Sequence, residues 1–117
     1  MKKYPPHDAN GFYLMNGQPQ PGACYGRAEP PDEEQVETAY RYLLQLTPTK
    51  KARVSSYHLK HRAENWGKRW GGSTYVSNGA LIEAAIRLGL VIRPYGINAN
   101  IGVSQREVRA LKQRDER

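Results

Sequence analysis

The apolar positions of this chain fall into blocks separated by polar stretches that hold proline or glycine. The densest block spans residues 76–88, with Val76, Ala80, Leu81, Ile82, Ala84, Ala85, Ile86 and Leu88. At about 100° per residue these side chains cover roughly two thirds of a helix circumference, leaving Gly79, Glu83 and Arg87 on the remaining sector. Ser77 can cap such a helix and Gly89 can close it in a left-handed conformation. A helix this apolar must be covered from several sides, so 76–88 is the predicted core helix and its neighbours are the predicted cover.

An earlier block repeats with helical spacing through Val36, Ala39, Tyr40, Leu43, Leu44 and Leu46. Asp32, followed by Glu33 and Glu34, supplies a cap and acidic residues at the positive end, and Thr47 before Pro48 supplies the stop. A third block starts at Ser55 or Ser56 and runs to about Trp70 before Gly71 and Gly72. Leu59, Ala63, Trp66 and Trp70 form its narrow apolar seam, which places both tryptophans toward the core. After the core helix, residues 90–93 and 101–103 read as two short strands joined by a loop over 95–100, with Pro94 ending the first. Ser104 and Glu107 have capping-box spacing and open a last helix through Leu111, leaving residues 113–117 as a charged tail.

The first 31 residues carry six of the eight prolines, which excludes a continuous helix or central strand there. Phe12, Tyr13, Leu14 and Met15 before Asn16-Gly17 suit a short turn docked by its aromatic rings. The expected organisation is an arm over 1–31, one compact domain over 32–112 and the tail. The fold class is α+β: a small, mostly helical domain with a C-terminal hairpin, in helix-turn-helix or winged-helix-like order.

Cys24 is the only cysteine, which excludes an internal disulfide framework and suits a reducing compartment. Lys2 and Lys3 precede no apolar segment of signal-peptide type, and no window approaches a membrane span, so a cytoplasmic protein is expected. The net charge of +7 is unevenly placed, with nine Lys or Arg against two acidic residues between 47 and 93. A basic block of this kind is the electrostatic footprint of a polyanion-binding surface.

On the second helix His58, His61, Arg62, Asn65 and Arg69 share a flank off the apolar seam, a stripe of donors suited to phosphate oxygens. Lys50, Lys51 and Arg53 on the preceding connector, with Lys60 and Lys68, extend it, and Arg87 is the one cation on the exposed sector of the core helix. That sector is too narrow for base reading, which needs several donors and acceptors on one face. Backbone contacts with little sequence preference are the expectation. His58 and His61 lack a third ligand at fixed spacing, residues 67–73 lack phosphate-loop order, and no nucleophile-base set stands out. Neither a metal, a cofactor nor an enzymatic activity is expected.

Ser55-Ser56-Tyr57-x-Leu59-Lys60-His61-x-x-Glu64, with Tyr75-Val76-Ser77-Asn78-Gly79-Ala80-Leu81-Ile82-x-Ala84-Ala85 further on, resembles a pattern in small uncharacterised proteins of bacterial plasmids and phages. The resemblance covers about residues 36 to 104 and brings no site residues with it. It implies an accessory or regulatory protein of a mobile element. Together these features point to a nucleic-acid-binding protein, duplex DNA favoured. The rival reading is an interaction module whose basic face meets an acidic protein while Tyr4, Phe12, Tyr13 and Tyr25 dock in a partner groove.

Overall fold

In a computed structural model of the chain, His7, Ala9 and residues 30–96 and 98–116 are described. The proposed aromatic turn at 12–17, the rest of the arm and Cys24 lie outside the described residues. Four helices and a three-stranded antiparallel sheet follow in the order α1 Glu33–Leu43, β1 Val54–Ser55, α2 Ser56–Trp70, α3 Asn78–Arg87, β2 Ile92–Tyr95, β3 Asn98–Ile101 and α4 Gln105–Asp115. The fold is therefore α+β with a C-terminal hairpin, as the periodicity predicted.

Each helix opens on a side-chain cap. Asp32 accepts from the Glu34 and Gln35 amides, Ser55 from Tyr57, Ser77 from Ala80 and Ser104 from Glu107. α3 is the core helix: Ala80, Leu81, Ile82, Ala84 and Ala85 have no exposed surface. α1, α2 and β3 pack around it. Gly89 follows at φ 70, the left-handed closure its position called for.

α1 differs in its last turn. Leu44, placed on the inner face, is 58% exposed, whereas Tyr42 is fully buried. The helix ends at Leu43, and the Gln45 and Leu46 amides donate to the Tyr42 and Leu43 carbonyls. This tighter turn takes Leu44 off the helical register and returns Leu46 to the core.

The sheet has the order β1-β3-β2, with Val54 opposite Ile101 and Ile92 opposite Ile101 on the other side. β1 falls where the sequence shows only a connector, since two residues carry no periodic signal. The hairpin strands lie closer together than predicted, and Pro94 sits inside β2 rather than ending it. β2 is an edge strand, where the missing proline donor costs no ladder bond. The chain after α1 also runs beside the segment after β3: Pro48 bridges Val103, and the Thr49 amide donates to the Gly102 carbonyl at 2.9 Å. Gly102 permits this approach, because a Cβ there would lie 2.5 Å from the Thr49 carbonyl oxygen.

α4 continues to Asp115, through residues read as a charged tail. Their acidic members are partners of α2, as described below.

The α2–α3 turn folds back on its own helix. The Gly71 and Gly72 amides both donate to the Gly67 carbonyl, and the Ser73 amide donates to Thr38 Oγ1 at 2.9 Å, which ties the turn to α1. A Cβ on Gly67 would overlap the Ser73 carbonyl and press on Thr38 Cγ2. Gly67→Ala should therefore lower stability by about 1–3 kcal/mol although alanine is the better helix former. Lys68→Ala, on the exposed side one residue later, should stay within about 0.5 kcal/mol of wild type. Thermal melts of the two variants check this; equal midpoints would contradict the packed turn.

Candidate functional site

The basic flank expected on α2 is largely consumed by internal partners. Glu64 is buried, and a buried carboxylate needs matching donors. It receives the Val76 amide at 3.0 Å, Lys60 Nζ at 3.4 Å and His61 Nδ1 at 3.0 Å. Lys60 is itself buried, with Nζ 5.6 Å from the Tyr57 ring centroid and 5.1 Å from that of Tyr75. The helical wheel put Lys60 off the apolar seam, but the 74–76 turn covers that side and converts it to packed surface.

The other side of the flank is covered by α4. Arg62 Nη1 donates to Glu116 Oε1 at 2.7 Å, and Asn65 Nδ2 donates to the same oxygen at 2.9 Å. Trp70, placed in the core by its spacing, is 50% exposed. Its Nε1 donates to Asp115, and the Arg69 and Arg114 guanidinium groups lie over its ring. The seam is too short to bury both tryptophans, and only Trp66 enters the core. Arg87 is bidentate to Glu33 at 2.7 and 2.9 Å and bonds Glu83 at 3.2 Å. The Glu33 hydrogen bond holds the Arg87 pKa above its usual range and the Glu33 carboxyl below its own. Of the α2 cations, Lys68 and Arg69 remain exposed at the C-terminal end, with Arg69 against Trp70.

The remaining free charge gathers elsewhere. Lys50, Lys51 and Arg53 on the connector face Arg106 and Arg109 on α4 across an open cavity of about 480 Å³. Among the described residues, no carboxylate lies within ion-pairing distance of any of these five. A second depression of about 430 Å³ shares Arg53 and Arg109 and adds His58 at the start of α2. The structure thus brings together four predicted site residues, Lys50, Lys51, Arg53 and His58, and separates them from Lys68, about 15 Å further along α2.

Arg106 and Arg109 were missed because residues 94–117 sum to little net charge. The available signal was their spacing: Arg106 and Arg109, at i and i+3, share one face of the first turns of α4, away from Asp115 and Glu116.

The cleft wall is fixed by hydrogen bonds. Glu107 accepts from the Thr47 amide at 2.6 Å and from its hydroxyl at 2.8 Å, instead of turning back to Ser104 as a capping box would. The Ser104 amide is already given to the Thr47 carbonyl. These two bonds hold the Glu107 carboxyl below the usual range, so the tether is present above that range and is lost as pH falls through the lowered pKa. His58 is held below the usual histidine range by partial burial and then by Arg62, Lys112 and His61. His58 and His61 have different surroundings, and no group of three or more His, Cys, Asp or Glu among the described residues could hold a metal. No helix among them is long and apolar enough to cross a membrane.

Lys60→Gln combined with Arg62→Gln should lower the melting temperature by several degrees, since Lys60 is half of a buried ion pair with Glu64 and Arg62, itself largely covered, gives up its bond to the more exposed Glu116. Lys50→Gln combined with Lys51→Gln should leave it unchanged. Equal melting temperatures for the two double variants would return Lys60 and Arg62 to the solvent-facing flank.

No protein-family model matches the chain, and no curated protein or solved structure matches it either.

Proposed function

We propose that this is a small nucleic-acid-binding accessory or regulatory protein, which takes sugar-phosphate backbone into the cleft between residues 49–53 and the first turns of α4. The observation that carries the reading is the convergence of five cations with no ion-pair partner among the described residues, Lys50, Lys51, Arg53, Arg106 and Arg109, around one open cavity. Unpaired side chains have no internal bond to give up when a phosphate arrives, and each contact releases counterions. Two consecutive helices, α2 and α3, followed by the β2–β3 hairpin are compatible with a winged-helix-like arrangement, and that order is taken as support for the same class.

Sequence-independent contact is favoured over base reading. Asn78 and Gly79 at the start of α3 are buried, and Gly79 is hydrogen-bonded to the arm through His7 Nε2 and the Ala9 carbonyl. Arg87 is spent on Glu33 and Glu83. The helix in the recognition position has no row of free donors to present to base edges.

Fluorescence anisotropy with unrelated labelled duplexes tests the proposal. Affinities should differ by far less than the roughly thousandfold that marks a specific binder, and should fall steeply with salt. Replacing all five cleft cations by Gln should reduce the salt slope by about four units without moving the melting temperature. An unchanged slope in the folded variant would overturn the cleft as the phosphate site; binding only to an acidic protein would favour the interaction-module reading.

His58 adds a pH signature. Its pKa is lowered in the free protein, and a phosphate beside it would favour the protonated form, so binding takes up a proton. Affinity should rise as pH is lowered from 8 to 6, and His58→Gln should flatten that rise. A pH-independent affinity in wild type would remove His58 from the site.

A further inference from the structure

We infer that Tyr57 and Tyr75 form a stacking platform for the bases of an unpaired nucleic-acid strand whose phosphates enter the cleft. Both residues are 55% exposed although each ring is held in place. Lys60 Nζ lies within 6 Å of both ring centroids and is itself fixed by Glu64, and the His61 ring meets Tyr57 in a T-shaped contact at 4.8 Å. A ring pinned by its inner surroundings and open outward loses little freedom when a flat partner covers it. Trp70 differs in place: it lies at the far end of α2 from His58, with two guanidinium groups over its ring and its N–H bonded to Asp115.

The position of the rings names the partner. Tyr57 and His58 are successive residues in the first turn of α2, about 100° apart around the helix, so the open rings flank, one helix face away, the depression that His58 lines with Arg53 and Arg109. Ser56 fixes this end by accepting from the Ala99 amide at 2.9 Å and donating to Asn78 Oδ1 at 2.7 Å. The end of the hairpin, where Tyr95 is 72% exposed opposite Asn98, is thereby held near the same end of α2. Cations that track a backbone beside open aromatic rings are the two parts of a single-strand site, and stacking is tolerant of sequence because every base has a π face. A duplex keeps its base faces covered and cannot use the rings.

The inference rests on the phosphate-binding reading, and the test separates the two. Labelled dT20, an abasic strand of the same length and a 20-base-pair duplex are titrated by anisotropy at several salt concentrations. Wild type should bind dT20 at least about tenfold more tightly than the abasic strand or the duplex. Tyr57→Leu with Tyr75→Leu should remove most of that advantage while leaving abasic-strand affinity and its salt slope unchanged, and the Phe pair should restore it. Because both rings also cover Lys60, each is replaced singly as well, and a folded single variant that binds dT20 like wild type overturns the assignment of that ring. Equal wild-type affinity for dT20 and the abasic strand, with a steep salt slope, would overturn the platform and leave the phosphate cleft standing. No salt-dependent binding to any of the three would overturn both.

Discussion

The Glu64 carboxylate is the constraint on which the arrangement of α2 and α3 depends. Moving a lone carboxylate into a protein interior costs several kcal/mol, and the cost is met here only by bringing three donors to it. Two come from α2 itself, Lys60 and His61, and the third is the Val76 amide at the threshold of α3. The Val76 bond fixes where the chain re-enters the core after the Gly71–Gly72 turn, and with it the placement of α3 against α2. The same carboxylate withdraws Lys60 and constrains His61. One buried anion thereby sets the placement of α3 against α2 and takes Lys60 and His61 out of the free charge.

α3 imposes the complementary condition. Because its apolar residues take up most of its circumference, α1, α2 and β3 must cover it, and the little that stays polar is satisfied internally by the Glu33–Arg87–Glu83 cluster and the contact to His7 and Ala9. A helix used this way supports the fold and offers little free polar surface of its own. At the periphery the charges are sorted. The acids at the end of α4 pair with Arg62, Asn65 and Trp70, while the cations at its beginning face the connector cations with no ion-pair partner among the described residues. Glu107 ties Thr47 to α4 and Gly102 holds Thr49 beside the segment after β3, so the free cations project from a wall that is already formed.

Much of the fold was legible in the sequence because it was written in local signals. Asp32, Ser55, Ser77 and Ser104 each announced a helix start, Gly89 a helix end, and the apolar density of 76–88 the core helix. What escaped was set by long-range pairing. Val54 and Ser55 form a strand only because Ile101 and Asn100 stand opposite, and Pro94 is tolerated in β2 only because that strand lies at an edge. The candidate site was half legible for the same reason. Residues 50–53 stood out as a basic connector, whereas the fate of Lys60, Arg62 and Arg87 depended on acids up to 54 residues away in sequence. Net charge by segment concealed Arg106 and Arg109, since Glu107 is spent on Thr47 and the other two acids, Asp115 and Glu116, offset them arithmetically although they sit at the far end of the helix.

The claim that joins these observations is that free cations, not basic residues in general, define the partner surface. Backbone amide and arginine side-chain NMR shifts recorded during titration with a short oligonucleotide test it most directly, because they report every cation at once without altering any. The account predicts that perturbations concentrate at residues 50–58 and 105–109 and include the Arg53, Arg106 and Arg109 side chains, while the Arg62 and Arg87 side chains keep their free-state shifts. Perturbation centred on Arg62 and Arg87, with the cleft arginines unmoved, would contradict it.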